Sequence, residues 1–118
     1  MMNTKLMGAL GEYTAARKLR EDGYDIYSTN FATPVGEIDI VAHKRGLLCF
    51  VEVKTRKVGS LYSPAEAVDF RKQENIKSVA ASYINKYKLN YKIRFDIFEV
   101  YVNEQGKVAE YNHITNAF

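Results

Sequence analysis

The sequence contains one cysteine, Cys49, in 118 residues. That excludes an internal disulfide framework and any multi-cysteine zinc site. Cys49 stands in an apolar run, which predicts a buried, inert thiol. No apolar segment approaches the ~20 residues of a membrane span. There is no internal repeat, no low-complexity tract and no linker. The first apolar stretch is interrupted by Glu12 and followed by Arg17, Lys18 and Arg20, a poor match to a secretory signal. These absences lead us to expect a cytoplasmic protein with no membrane association. A strong excess of either charge is missing too. Seventeen Lys and Arg against fourteen Asp and Glu give a net charge of +3, with a pI near 8.9. That balance is compatible with a nucleic-acid partner without requiring one.

The composition, 47% hydrophobic and 26% charged, is that of one ordinary globular domain over residues 1–118. Such a chain can bury a core without staples. The basic residues fall into local groups: Lys44-Arg45, Lys54-Arg56-Lys57, Arg71-Lys72-Lys77 and Lys86-Lys88-Lys92-Arg94. Any one of them can be plain solvated surface.

Hydrophobic spacing predicts a helix from Thr4 to about Asp22, capped by Asn3 or Thr4 and closed at Gly23. Tyr24 to Phe31 reads as a strand, with a turn at Pro34 and Gly36. Glu37–His43 and Leu47–Thr55 read as two strands joined at Arg45-Gly46. Ser63-Pro64-Ala65-Glu66 resembles a capping box opening a long helix, with a break allowed near Phe70. Its core stripe is Ile76, Val79, Ala80, Tyr83, Ile84 and Tyr87. Tyr91–Val102 and Val108–Ile114 complete the order helix, three strands, helix, two strands. The expected fold class is α/β, with a central mixed five-stranded sheet flanked by helices.

Chemistry concentrates in the middle of the chain. With Arg45-Gly46 as a two-residue hairpin loop, Lys44 faces Leu47, His43 faces Leu48, Val41 faces Phe50 and Asp39 faces Glu52. Opposed residues share a face about 5 Å apart. Lys54, two residues beyond Glu52, points the same way. A three-residue loop would shift this register by one. Two adjacent carboxylates repel, and burying them is costly unless something compensates. A hard cation such as Mg²⁺ would do so, with the Val53 carbonyl as a further ligand. The alternative is a structural ion pair with Lys54.

Glu12 lies in the apolar arc of the first helix beside Gly8, Ala15, Ala16 and Leu19, where it can reach the cluster. Otherwise it is a half-exposed side chain at the edge of that arc. Gly8 and Gly11 would allow this helix to approach another element closely, at a helix cost of roughly 1 kcal/mol each. Lys72, on the core stripe one turn before Ile76, either joins the cluster or only snorkels along the apolar face. Asp96 either pairs with Arg94 or Lys72 or marks the edge of the site.

Asp39 followed after a dozen residues by Glu52-Val53-Lys54 resembles the signature of the PD-(D/E)xK nuclease superfamily. From the first helix to the end of the second, the chain resembles the YraN family, uncharacterised protein family 0102. The matching stretches are Gly11-Glu12, "GYDIYSTNF", "GEIDIVA", "FVEVKTR", and "SPAEAV" followed by Lys72. The archaeal Holliday junction resolvases are related and share the helix glutamate, although Tyr13 stands where they carry arginine.

The resemblance implies a restriction-endonuclease-like fold and metal-dependent cleavage of DNA phosphodiesters, on branched or single-stranded structures. In it Asp39, Glu52 and the Val53 carbonyl would bind Mg²⁺ or Mn²⁺, and Glu12 would complete the site. Lys54 would help activate the attacking water and steady the transition state. Lys44, Arg45, Arg56 and Lys57 are the expected nucleic-acid contacts. Cutting two strands needs two sites, which a homodimer would supply. The competing readings are a binding module of this fold with little or no cleavage, and an interaction scaffold.

Overall fold

The computed structural model describes residues 3–60 and 68–118. Helix α1 spans Thr4–Glu21, and the Asn3 side chain caps it by accepting from the Leu6 N–H. At its other end Gly23, at φ +92, takes the left-handed conformation that reverses the chain. Three strands follow: β1 (Asp25–Thr33), β2 (Gly36–Lys44) and β3 (Leu47–Lys57). Helix α2 runs over Phe70–Tyr87, and β4 (Lys92–Val102) and β5 (Val108–Ile114) complete the chain. The element order is the expected one.

The strands form one sheet in the order β1-β2-β3-β4-β5. Only β3 and β4 are parallel; the other neighbouring strands are antiparallel. α2 is the intervening crossover that a parallel pair requires. Among the described residues, one helix covers each face. Ala15, Ala16 and Leu19 of α1 pack with Ile40, Ala42, Cys49, Val51 and Phe98. Ile76, Val79, Ala80 and Tyr83 of α2 pack with Ile38, Val41, Leu48, Phe50 and Ile97 on the other side. Cys49 is fully buried, as expected.

Several local expectations need correction. The described helix α2 begins at Phe70, with the Asp69 side chain capping the Lys72 N–H at 2.9 Å. The capping box expected at Ser63 to Glu66 lies outside the described residues. Tyr87 belongs to the helical stripe by spacing, yet it is 47% exposed, because the helix ends there and the sheet no longer covers it. Gly11 does serve close approach: a Cβ built on it would overlap Thr55 Oγ1 and lie 3.1 Å from the Thr55 Cβ. Gly8 does not, since open space surrounds it.

Asp96 is fully buried between Phe95 and Ile97, which point to the α2 side, so its own side chain points to the α1 side. Arg94 Nε and Nη2 each donate to it at 2.7 Å, His113 Nε2 sits 2.7 Å away, and the Asn116 N–H donates at 3.0 Å. Burial opposes the charge of Asp96, but His113, Arg94 and Asn116 outweigh it and hold its pKa below the ordinary carboxylate range. Arg94 also donates to the Tyr24 hydroxyl, so the network ties the start of β1 to β4, β5 and the C-terminal turn. Asp96→Ala would leave Arg94 without its partner. We expect a loss of about 3 kcal/mol or more in urea denaturation. The lowered pKa means that this stability is present at neutral pH and lost as pH falls through the folded-state value. A variant as stable as the parent would show the network to be dispensable.

Candidate functional site

The β2–β3 hairpin closes on Arg45 and Gly46, both at positive φ (50 and 77) as a two-residue primed turn requires. The register is the expected one: Lys44↔Leu47, His43↔Leu48, Val41↔Phe50. It ends at Ile40↔Val51. The next pair, Asp39 and Glu52, is not part of the ladder, because the strands separate there. Asn30 of β1, opposite Asp39, adopts φ +53 and is likewise absent from its ladder. Ile38 faces α2 and Ile40 faces α1, so β2 turns over at Asp39. The Asp39 carboxylate therefore fills the gap between the strands and accepts from the Val53 N–H at 2.8 Å. In an extended strand the N–H and C=O of one residue point to the same edge. The Val53 carbonyl thus faces the gap as well.

Glu52 lies between Val51 and Val53, which pack on the α1 side, so it points toward α2. It is 7% exposed. Lys72 Nζ, from the first turn of α2, sits 3.0 Å from its Oε1, and Lys54 Nζ sits 3.7 Å away. Lys72 thus joins the cluster. Burial and the neighbouring Lys72 push the Lys54 pKa down to about 8. Burial also works against the Lys72 ammonium, but its contacts with Lys54 and Glu52 outweigh this and raise its pKa.

Glu12 approaches from α1, half-buried. Asn30, with its amide nitrogen turned toward the carboxylates, donates to Glu12 Oε1 at 2.7 Å and to Glu37 Oε1 at 2.9 Å. Burial, Glu37 and Glu52 raise the Glu12 pKa, against the Asn30 hydrogen bond. Burial and the charge of Glu52, with smaller contributions from Glu12 and Glu37, push Asp39 up to about 7 despite the Val53 N–H. A cleft of about 290 Å³ opens here, lined in part by Gly8, Glu12, Asp39, Val53, Lys54 and Arg56. Gly8 contributes to it by having no side chain.

Of the four residues expected to form a site, Glu12, Asp39 and Lys54 line the cleft at the parting of β2 and β3, while Glu52 points toward α2, where Lys72 and Lys54 hold it. The basic contacts divide. Arg56 lines the cleft and Lys57 ends the same strand. Lys44 and Arg45 are at the hairpin turn, about 17 Å along β2 from Asp39. Lys44 is also engaged there by the Asp22 carbonyl and the Tyr24 ring. Asp96 is on the opposite face from Glu52 and takes no part. Glu37 and Asn30 were not anticipated. Glu37, two residues before Asp39 in a strand, carried a signal in its spacing; Asn30 carried none.

Among the described residues, no three His, Cys, Asp or Glu side chains converge closely enough to form an all-protein metal cage. Mg²⁺ does not need one, since one or two carboxylates, waters and substrate phosphates usually hold it. The donor chemistry fits such an ion: hard oxygens of Asp39, Glu12 and the Val53 carbonyl border one cleft, and burial together with neighbouring carboxylates raises both carboxyl pKa values.

The chain is similar to a UPF0102 protein of Dictyoglomus thermophilum, 43% identical over 118 residues, covering 99% of this chain and all of the relative. A UPF0102 protein of Caldanaerobacter subterraneus is 44% identical over 119 residues, covering 99% and 98% of the two chains. Residues 11–100, which carry Glu12, Asp39, Glu52, Lys54 and Lys72, match the family described as Uncharacterised protein family UPF0102. With that match over most of its length and relatives alike from end to end, the chain belongs to the UPF0102 family.

Proposed function

We propose that this protein is a divalent-metal-dependent nuclease of the PD-(D/E)xK superfamily that hydrolyses DNA phosphodiesters at branched or single-stranded structures. The supporting observation is the cleft where β2 and β3 part, lined by Glu12, Asp39 and Lys54, with Glu52 reached by Lys54 Nζ at 3.7 Å. Asp39, Glu52 and the Val53 carbonyl would hold Mg²⁺ or Mn²⁺, with Glu12 completing the set. The ion, when bound, lowers the pKa of its water and neutralises phosphate charge. Lys54, ionised below about pH 8, supplies a fixed positive charge beside the reacting phosphate. Lys72 holds Glu52 in place, and Arg56 and Lys57 contact the flanking backbone.

One observation favours a second reading, a binding module with little cleavage: two lysines already satisfy Glu52. A panel of single-stranded, duplex and branched DNA, incubated with Mn²⁺ or with chelator, separates the two. We expect metal-dependent cleavage that falls at least a hundredfold in Glu52→Ala. Binding without cleavage by the parent would favour the module.

Metal affinity should also follow the ionisation of Asp39. Ligand carboxylates must lose their protons, and Asp39 without metal does so only near pH 7. Titration calorimetry should show Mn²⁺ binding weakening about tenfold per pH unit below 7. Affinity unchanged between pH 6 and 7 would remove Asp39 from the ligand set.

A further inference from the structure

The basic, tyrosine-rich segment around Tyr83 to Lys92 has no part in the chemistry above, yet it helps to build an ordered aromatic surface. Tyr27 stacks on His43, with centroids 5.1 Å apart and planes 13° from parallel. Tyr91 also lies against His43, with centroids 4.4 Å apart and planes tilted by 48°. His43 Nε2 is buried without a hydrogen-bond partner, so stacking rather than hydrogen bonding at that atom positions the ring. The Tyr27 hydroxyl meets Tyr91, a contact that pushes the Tyr27 pKa up to about 12. A register shift between Ile26 and Ser28 frees Tyr27 from the regular ladder and turns it outward. Tyr27 and Tyr91 remain 40% and 38% exposed, so part of each side chain faces solvent.

The surroundings indicate what covers that surface. Arg45 at the hairpin turn, and Lys88 and Lys92 flanking Tyr91, are all exposed. None forms an ion pair with a described residue. Aromatic rings with three exposed cations nearby, against one exposed carboxylate, Asp25, which faces His43 across the ladder, suit stacked bases and their phosphates. A second copy of the chain fits less well, because a two-fold contact would set these cations against their own images. The location also fits. Tyr27 and Asn30 are three residues apart on β1, an edge strand, about 10 Å, and Asn30 touches Glu12.

We propose that Tyr27, His43 and Tyr91 form a stacking platform for an unpaired nucleobase, so that the substrate is a nucleic-acid strand that is single-stranded beside the cleavage point. This rests on the nuclease reading for its link to cleavage, but the platform can be tested alone. The full chain in chelator, where no cleavage occurs, is titrated into fluorescein-labelled oligothymidylate and into a blunt duplex of equal length. An oligonucleotide carrying 2-aminopurine reports stacking directly. The parent should prefer the single strand and quench 2-aminopurine. Tyr27→Ala and Tyr91→Ala should each lose roughly five- to a hundredfold in single-strand affinity. Tyr27→Phe, which keeps the ring, should retain it.

Alanine variants that melt like the parent and bind the single strand equally well overturn the platform. So does a parent dimer that Tyr91→Ala converts to a monomer, since the patch is then a subunit contact. Cleavage with Mn²⁺ is read separately. A parent that binds single strands without cutting leaves the platform and sinks the nuclease reading. A parent that cuts, with alanine variants unimpaired in binding, sinks the platform alone.

Discussion

Asp39→Asn will raise the melting temperature of the metal-free protein at pH 8 and abolish stabilisation by Mn²⁺. The folded state pushes the Asp39 carboxyl from an ordinary 3.8 to about 7, through burial and the charges of Glu52 and Glu12. A raised carboxyl pKa contributes stability that is full below about pH 4 and lost as pH rises through 7. Above that, ionised Asp39 costs the fold up to roughly 4 kcal/mol relative to a neutral group. Asparagine is neutral at every pH and still offers an oxygen to the Val53 N–H, which Asp39 now accepts at 2.8 Å. The two proteins should therefore melt together near pH 4 and diverge by several degrees at pH 8.

On the proposed metal site, Mn²⁺ should reverse the order. An ion that binds only the folded parent stabilises it by roughly 2.7 kcal/mol at a hundredfold excess over its dissociation constant, and the variant should gain little. Were Asp39 only a structural partner, the substitution would destabilise the protein and Mn²⁺ would move neither melt. Thermal melts at both pH values, with and without Mn²⁺, decide the matter.

The second large effect is a contrast between two glycines of one helix. Gly8→Ala should stabilise the protein by up to about 1 kcal/mol, since helix propensity improves and nothing lies within 4 Å of the new methyl. Gly11→Ala gains the same propensity but drives its methyl into Thr55. Rotating the Thr55 hydroxyl away gives incomplete relief, because the Thr55 Cβ and Cγ2 stand at 3.1 and 3.3 Å. The helix or the strand must shift, and overpacking of this kind costs typically 1–3 kcal/mol. Such a shift should also disturb Glu12, the next residue, and its hydrogen bond from Asn30. We expect a net loss of about 2 kcal/mol in chemical denaturation and, on the proposed nuclease reading, a fall in cleavage. Thr55→Ala in the same chain should restore part of both. Equal behaviour of the two alanine variants would show that α1 does not rest on β3 through Gly11.

Much of the scaffold is legible in the amino-acid sequence because its signals are local. The Arg45-Gly46 turn sets the hairpin register, and alternation then puts Glu52 and Lys54 on one face. The apolar arc of α1 aims Glu12 at the sheet. The opening expected at Ser63 to Glu66 lies outside the described residues; within them Asp69 caps the helix at Phe70, where the sequence allows a break. Tyr87 misleads, since helical spacing says which way a side chain points and not how far the opposing sheet extends.

By itself the sequence determined the element order, the hairpin register and which carboxylates lie on its inner strands, since each follows from a repeat of 3.6 or 2 and from turn chemistry. Only the tertiary structure decided how the site is arranged. Regular pairing would put Asp39 and Glu52 side by side. Instead the strands part after Ile40 and Val51, Asn30 takes a left-handed conformation, and Asp39 caps Val53 from within the gap. Lys72 reaches Glu52 from a helix twenty residues away in sequence, while Asp96, beside Arg94 and His113, is claimed by a network on the other face. Where a strand leaves its ladder, and which cation reaches a buried carboxylate, depend on helices packed from both sides. No repeat within a single strand carries that information.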